Sequence, residues 1–338
     1  MFSEEKLNQL FDSFNNLKVL VVGDIMLDAY VWGKVDRISP EAPVPIVSIE
    51  KRVNKLGGAA NVALNLKSLG AEPIICSVIG DDQKGSELIN ELNIESLSAN
   101  GIIKSADRIT TTKFRVIGNN TQMLRVDEED TCDLNVNEEI HLIDKIKSLL
   151  ESTKIDAIIF QDYNKGNLTK NVIRETISLA NKFKIITAVD PKHKNFFEFK
   201  KVSLFKPNLK ELQEGLSVSV EELSKENITH LVKKLNETLD AKMIMTTLSE
   251  HGVFIADGLK TKKTIEHLIP AHKRSISDVS GAGDTVIGVA TLCLVLKQNA
   301  QQIAALSNLA GGIVCEEVGV APVSKDRLLT EAVKLLTK

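Results

Sequence analysis

Asp278-Val279-Ser280-Gly281-Ala282-Gly283-Asp284-Thr285 sets three small residues and then a carboxylate at the head of an apolar run, Val286 to Leu296. That run is long enough for a buried helix. Gly281, Ala282 and Gly283 let backbone come close to a ligand. At a helix start their free N–H groups point outward at the positive end of the dipole, which suits an anion. A carboxylate is out of place beside an anion unless it handles a proton or a metal, so Asp284 is a candidate for chemistry. Taken alone, the stretch reads better as a capping Asp behind a glycine loop. The rest of the chain decides.

Working outward, apolar strands alternate with helices. Lys18-Val19-Leu20-Val21-Val22-Gly23-Asp24 is a continuous apolar run, the kind that a parallel sheet covers on both faces. Further strands are expected at 73–79, 155–160, 184–189, 202–206 and 242–247. Helices are expected at 2–17, from the Gly57-Gly58 start to Leu69, and at 84–92, 137–151, 169–182, 219–224, 226–238 and about 303–318. A hairpin, 253–256 and 261–267, precedes the opening stretch. This alternation predicts an α/β fold, a doubly wound and mostly parallel sheet flanked by helices. Such sheets bind ligands beyond the carboxyl ends of their strands. Polar clusters stand there: Gly23-Asp24, Gln161 to Gly166, Asp190-Pro191-Lys192, Lys206 to Glu211 and Thr246 to Gly252.

Two stretches break the alternation. Tyr30 to Arg52 holds Pro40, Pro43 and Pro45 and a short alternating strand from Pro45 to Ile49; prolines suit edge or exposed strands. Arg108 to Asp127 reads as two antiparallel strands around an Asn119-Asn120 turn. Together they predict a small β lid, approximately 30–53 and 108–127, inserted in a single domain of 1–338. Lys113, Arg115 and Arg125 put three cations on the lid. A solvated face explains such charges; an anionic substrate is the sharper explanation.

The bulk numbers narrow the class. A 338-residue chain with 43% hydrophobic and 26% charged residues buries a large core. A net charge of −3 argues against nucleic-acid binding by counterion release. Cys76, Cys132, Cys293 and Cys315 form no CxxC pair, and the six His form no HxxxH or HExxH pair. Reduced thiols in a cytoplasmic protein without a zinc site are expected. No signal peptide or membrane span is visible.

Gly57-Gly58-Ala59-Ala60-Asn61-Val62-Ala63 followed by Gly70 and Gly80, then Asn208-x-x-Glu211, then Asp278 to Asp284 resemble, in order, the signatures of the ribokinase-like (PfkB) carbohydrate kinases. The resemblance spans Val19 to about Val323. Within that family, Gly23-Asp24-Ile25-Met26-Leu27-Asp28, Arg37-Ile38-Ser39-Pro40-Glu41-Ala42-Pro43-Val44-Pro45, Asp162-Tyr163-Asn164-Lys165-Gly166 and Gly281 to Val289 are similar to the heptose 7-phosphate kinases, which in many bacteria are fused to a nucleotidyltransferase. The chain ends at Lys338 with no HxGH-type stretch, so a stand-alone kinase is expected.

The resemblance implies an ATP- and Mg²⁺-dependent enzyme that phosphorylates O1 of D-glycero-D-manno-heptose 7-phosphate for ADP-heptose and lipopolysaccharide core synthesis. It implies Asp284 as the base, with the amides of Gly281, Ala282 and Gly283 holding charge on the phosphoryl group. The helix dipole is expected to depress the Asp284 pKa and keep it ionised. Asp24, Asp28, Gly57, Gly58 and Asn61 would hold sugar hydroxyls. Lys113, Arg115, Arg125 and Lys165 are candidates for the substrate phosphate. Asn208 and Glu211 would organise Mg²⁺ through water. Lys192, Thr246, Ser249, Gly252 and Asn308 would face the nucleotide, although the family pattern has Gly where Ser249 stands. Asp278 and Val279, with backbone near Gly319, would frame the K⁺ site of some relatives. Projecting lids imply a homodimer. Two other readings stay open: a fructokinase- or ribokinase-type kinase of another sugar, and a catalytically silent sugar- or nucleotide-binding protein. A dinucleotide dehydrogenase is set aside because no GxGxxG follows the first strand.

Overall fold

The computed structural model describes residues 2–219, 223–259 and 264–337. In chain order its strands are β1 (Lys18–Gly23), β2 (Ile25–Ile38), β3 (Pro45–Gly58), β4 (Glu72–Gly80), β5 (Ile102–Ser105), β6 (Thr112–Gly118), β7 (Thr121–Glu128), β8 (Ala157–Gln161), β9 (Ile186–Asp190), β10 (Leu204–Phe205), β11 (Met243–Thr247), β12 (Val253–Asp257) and β13 (Ile265–Ile269). Its helices are α1 (Glu4–Phe14), α2 (Ala59–Ser68), α3 (Gln83–Ile94), α4 (Val136–Ser152), α5 (Lys170–Phe183), α6 (Leu209–Leu216), α7 (Lys225–Leu239), α8 (Ala282–Val295), α9 (Ala300–Val314) and α10 (Lys325–Leu336).

The main sheet runs β13-β12-β11-β10-β9-β8-β1-β4-β5. It is parallel from β5 to β11 and antiparallel at β12 and β13. The apolar run of β1 serves two cores. Val19 and Val21 join the core built with α1, α2, α8, α9 and α10, while Leu20 and Val22 join that built with α4, α5 and α7. Helix α8 is buried from Asp284 to Cys293 on every side. That is why its sequence shows no polar stripe; it lies between α2 and α9. No described helix is long and apolar enough to cross a membrane.

The lid is a second sheet, β3-β2-β6-β7. The Asn119-Asn120 turn has both residues at positive φ, 49° and 62°, as a two-residue hairpin loop demands. The lid strands are longer than their sequence suggests. β2 begins at Ile25, directly after Asp24, and runs 14 residues. Register shifts between Trp32 and Gly33 and between Val35 and Arg37 hide its alternation, because each bulge re-aims the side chains that follow.

Other elements also differ from expectation. The helix expected over 303–318 ends at Val314 in α9, and α10 follows as a separate helix. β5 and α6 were not anticipated. The helix expected over 219–224 falls partly on 220–222, outside the described residues, and Ser224 is the N-cap of α7. The 261–263 portion of the expected hairpin also lies outside them. The ends of β1, β8, β9 and β11 and the starts of α2 and α8 meet at one edge of the sheet, where the polar clusters stand.

Candidate active site

Asp284 sits in the first turn of α8 and is 4% exposed. The N-cap, Gly281, has φ +81°, and a Cβ there would lie 2.9 Å from Asn61 Nδ2. Glycine at this position lets α8 and α2 close on each other. Asn61 Nδ2 then donates to Asp284 Oδ2 at 2.6 Å. From the end of β8, Gln161 Nε2 and the Tyr163 hydroxyl donate to Oδ1 at 3.0 and 2.8 Å. Burial pushes the Asp284 carboxyl up to about 6, with the Asn61 and Tyr163 hydrogen bonds working against the rise and Asp190 adding to it. The expected depression by the helix dipole is thus overturned. Removing a carboxylate from water outweighs a half-charge at a helix end.

Of the three small residues ahead of Asp284, Gly281 has no side chain to cap the first turn. The Ala282 amide turns to the Val279 carbonyl at 3.3 Å. Gly283 faces a buried ion pair: a Cβ on it would stand 3.6 Å from Asp190 Oδ2 and 3.7 Å from Lys206 Nζ. Asp190 and Lys206 are 3.0 Å apart with side chains 6% and 3% exposed. Gln161 Nε2 also reaches Asp190 Oδ2 at 3.3 Å, so one amide group ties two carboxylates together. Gln161, Tyr163, Asp190 and Lys206 were not chosen from the sequence. The available signal was their place at strand ends.

On the neighbouring side, Lys192 pairs with Glu211 and lies 5.8 Å from the centre of the Tyr163 ring. Burial opposes the Lys192 charge, but Asp190 and Glu211 outweigh it and hold the ammonium up at about 12. Asn208 and Glu211 form a reciprocal capping box at the start of α6, with bonds of 2.8 and 2.9 Å. Thr246 is buried at the end of β11. Ser249 has φ +52°, which explains a family preference for Gly there, and Gly252 has φ +91°. Asn308 donates to the Pro270 carbonyl at 2.8 Å. Asp278 accepts from the Ser280 and Gly319 amides at 2.9 and 3.1 Å. Burial raises its pKa less than those amides lower it, and it lies below the ordinary carboxylate range. The Val279 side chain is exposed.

The residues expected on the sugar side divide. Asp24 accepts the backbone amides of Tyr163, Lys165 and Asn167 at 2.9, 3.0 and 3.1 Å. Oδ2 takes two of these bonds and Oδ1 only one, so Asp24 shapes the loop that carries Tyr163 while Oδ1 keeps a lone-pair direction. Asp28, on β2, accepts from Arg115 at 2.5 Å. A Cβ on Gly57 would meet Asp28 Oδ2 at 2.4 Å. Gly58, at φ +62°, is the N-cap of α2.

The lid cations share one face. Across the sheet, Lys55, Asp28, Lys113 and Asp127 form one rung, and Val53, Tyr30, Arg115 and Arg125 the next. Arg115 therefore stands directly opposite Arg125. Lys113 reaches Asp127 and Glu129 at 3.4 and 3.3 Å, and Lys165, from the body, reaches Glu129 at 2.7 Å. Arg125 grips Asp127 through two nitrogens, both at 2.7 Å. That grip, against a smaller burial effect, lowers the Asp127 carboxyl to about 2. Among the described residues no group of three or more His, Cys, Asp or Glu is arranged to hold a metal. A Mg²⁺ ion held by Asn208 and Glu211 would keep most of its waters.

Three comparisons bear on this arrangement. The family model for pfkB family carbohydrate kinases matches residues 16–327. The bifunctional protein HldE of Helicobacter acinonychis is 38% identical over 311 residues, 92% of this chain and 65% of that protein. HldE of Campylobacter fetus is 36% identical over 308 residues, 91% of this chain. The chain thus spans about two thirds of the length of these curated relatives, 65% of each. Among solved structures, Escherichia coli phosphofructokinase-2 in complex with potassium superposes with a TM-score of 0.76 at 19% identity, covering 95% of this chain and 99% of that one. Arabidopsis thaliana ribokinase complexed with ribose and ATP gives 0.68 at 16% identity, covering 93% and 98%.

Proposed function

Because the chain belongs to the pfkB family of carbohydrate kinases, ATP-using phosphotransferases with an alcohol acceptor, we propose that its acceptor is a sugar that already carries a phosphate. The specific reading is D-glycero-D-manno-heptose 7-phosphate, phosphorylated at O1 as a step toward ADP-heptose and lipopolysaccharide core. The observation that carries it is Arg115 opposite Arg125 on the lid face. Like charges at directly opposed strand positions are destabilising, and an arginine pair is the natural grip for a phosphate. Among the described residues five cations, Lys55, Lys113, Arg115, Arg125 and Lys165, outnumber the four carboxylates Asp28, Asp127, Glu129 and Asp278 around that face. Similarity to HldE supports the heptose.

In this reading Asp284 takes the proton of the attacking hydroxyl. An anomeric hydroxyl is more acidic than an ordinary alcohol, so a carboxylate near 6 is base enough. Phosphoryl transfer has a loose transition state, and alignment with charge neutralisation does most of the work. Gly281 and Gly283 present the head of α8 to the phosphoryl group, with Lys206 behind Gly283. Asn61 orients the base, and Asp28 with the Gly57–Gly58 backbone faces the sugar. Lys192, Thr246, Ser249, Gly252 and Asn308 serve the nucleotide side. Glu211 and Asn208 would hold the waters of Mg²⁺, which supplies charge neutralisation at the ATP phosphates. Asp278 and the Val279 carbonyl would border K⁺.

ADP release with heptose 7-phosphate, unphosphorylated heptose, fructose and ribose tests the reading. Turnover is expected with the first; equal efficiency with unphosphorylated heptose overturns it. Arg115→Ala should raise the KM for heptose 7-phosphate by about 10- to 100-fold and leave the KM for ATP within twofold. Equal rises in both would remove Arg115 from the phosphate site.

The lid also exposes Ile38, Val44, Ile49, Met123, Leu124 and Val126. A second copy of the chain clasping this lid is the proposed partner. Sedimentation velocity at micromolar concentration should give a dimer, and Leu124→Glu should shift it to monomer. A monomer in the unmodified protein would refute the pairing.

A further inference from the structure

Asp284 has two oxygens, and the structure treats them differently. Among the described residues Oδ1 accepts from both Gln161 Nε2 and the Tyr163 hydroxyl, whereas Oδ2 accepts from Asn61 alone. A carboxylate oxygen offers roughly two lone-pair directions, so Oδ1 is saturated and Oδ2 keeps one direction open. Tyr163 is itself held from three sides. Its amide donates to Asp24, its hydroxyl to Asp284, and the Lys192 ammonium sits 5.8 Å from its ring centre.

We propose that Tyr163 is a positioning residue for the base: with Gln161 it closes Oδ1, so that the sugar proton is taken by Oδ2. This rests on the reading of Asp284 as the base. The proton moves from the sugar hydroxyl to Oδ2 as the oxygen bonds to phosphorus, and Tyr163 keeps its own proton throughout. Burial and the nearby Asp284 carboxylate both hold the phenol well above its ordinary range, so it remains a donor at working pH. The other charged groups facing Asp284 are Asp190 at the end of β9, Lys192 beyond it and Lys206 beyond β10. None of them makes a hydrogen bond to Oδ1. The motif Asp162-Tyr163-Asn164-Lys165-Gly166 thereby gains a purpose: Asp24 fixes its backbone so that its tyrosine arrives at the base.

Tyr163→Phe removes the hydroxyl and keeps the ring beneath Lys192. The Asp284 titration is read by ¹³C NMR on carboxyl-labelled Asp, the signal being identified by its loss in Asp284→Asn. Loss of a donor to the ionised form should move the midpoint upward by about one pH unit. With heptose 7-phosphate, kcat should fall about tenfold with both KM values within twofold, and the acid limb of kcat/KM should move up with the midpoint. An unmoved midpoint overturns the proposal, as does a moved midpoint with unchanged kcat. Wild-type turnover by Asp284→Asn would instead overturn the base assignment, while the titration would still report whether Tyr163 holds the carboxylate.

Discussion

Replacing Asp284 with Asn should lower kcat by about 10³-fold, in the range expected for losing a positioned general base, while ATP binding measured by calorimetry stays within twofold. The substitution is isosteric, and its consequence is chemical. An amide cannot take the proton that the attacking hydroxyl must lose. The pocket can accept the new NH₂ group, because the Tyr163 hydroxyl that meets this position can accept as well as donate. Activity within tenfold of the unmodified enzyme would remove Asp284 as the base. The pH profile gives a second check. Only the ionised carboxylate accepts, so kcat/KM should rise through about pH 6 and level off above it. The same shift bears on folding. The native carboxyl holds its proton to about 6, but the unfolded one loses it near 3.8. Between those values the native state binds more protons, so this group's contribution to stability falls as pH rises. At neutral pH the site keeps its base ionised against the preference of the fold.

Lys206→Met should destabilise the protein by about 3–5 kcal/mol, the usual loss when one member of a buried ion pair is removed. Thermal unfolding should drop by roughly 4–7 °C for a chain of this size. The cause is the Asp190 carboxylate, which would be left between Gly283 and Gln161 with no cation in contact. Adding Asp190→Leu to Lys206→Met should recover much of the loss, since two apolar residues do not strand a charge. On the proposed reading Lys206 stands behind Gly283 toward the phosphoryl group, so activity should not recover with it. A single variant as stable as the unmodified protein would show that the pair does not hold the sheet edge together.

The sequence made the alternation of strands and helices plain because most strands are short apolar runs without irregularities. The chemistry of α8 was legible because it is local: three small residues and a carboxylate lie within one turn. Gln161 and Tyr163 stand 123 and 121 positions from the Asp284 they touch, and no spacing reports such a contact. Asp24 shows a different limit. A Gly-Asp at a strand end does not reveal that the carboxylate also gathers the amides of a loop 139 to 143 positions away. Asn208 and Glu211 show a third. Their spacing fits both a ligand reading and a helix start, and the structure shows the capping box that starts α6. The long lid strands were missed because bulges interrupt the period-two pattern that marks a strand.

β2 leaves the body at Ile25, next to Asp24, and ends at Ile38 at the tip of the lid. It is one continuous arm, with its fixed end at the site and its free end in solvent. Fourteen residues at ~3.3 Å each make it ~46 Å long, so a rotation of ~10° about Ile25 would sweep the tip by ~8 Å but carry Asp28 by only ~2 Å. The arm gears large excursions outside down to small ones at Asp28. Whatever grasps the lid from without therefore acts on Asp28 with a mechanical advantage of about four and on Arg115, which lies opposite Tyr30 further along the arm, with one of about three.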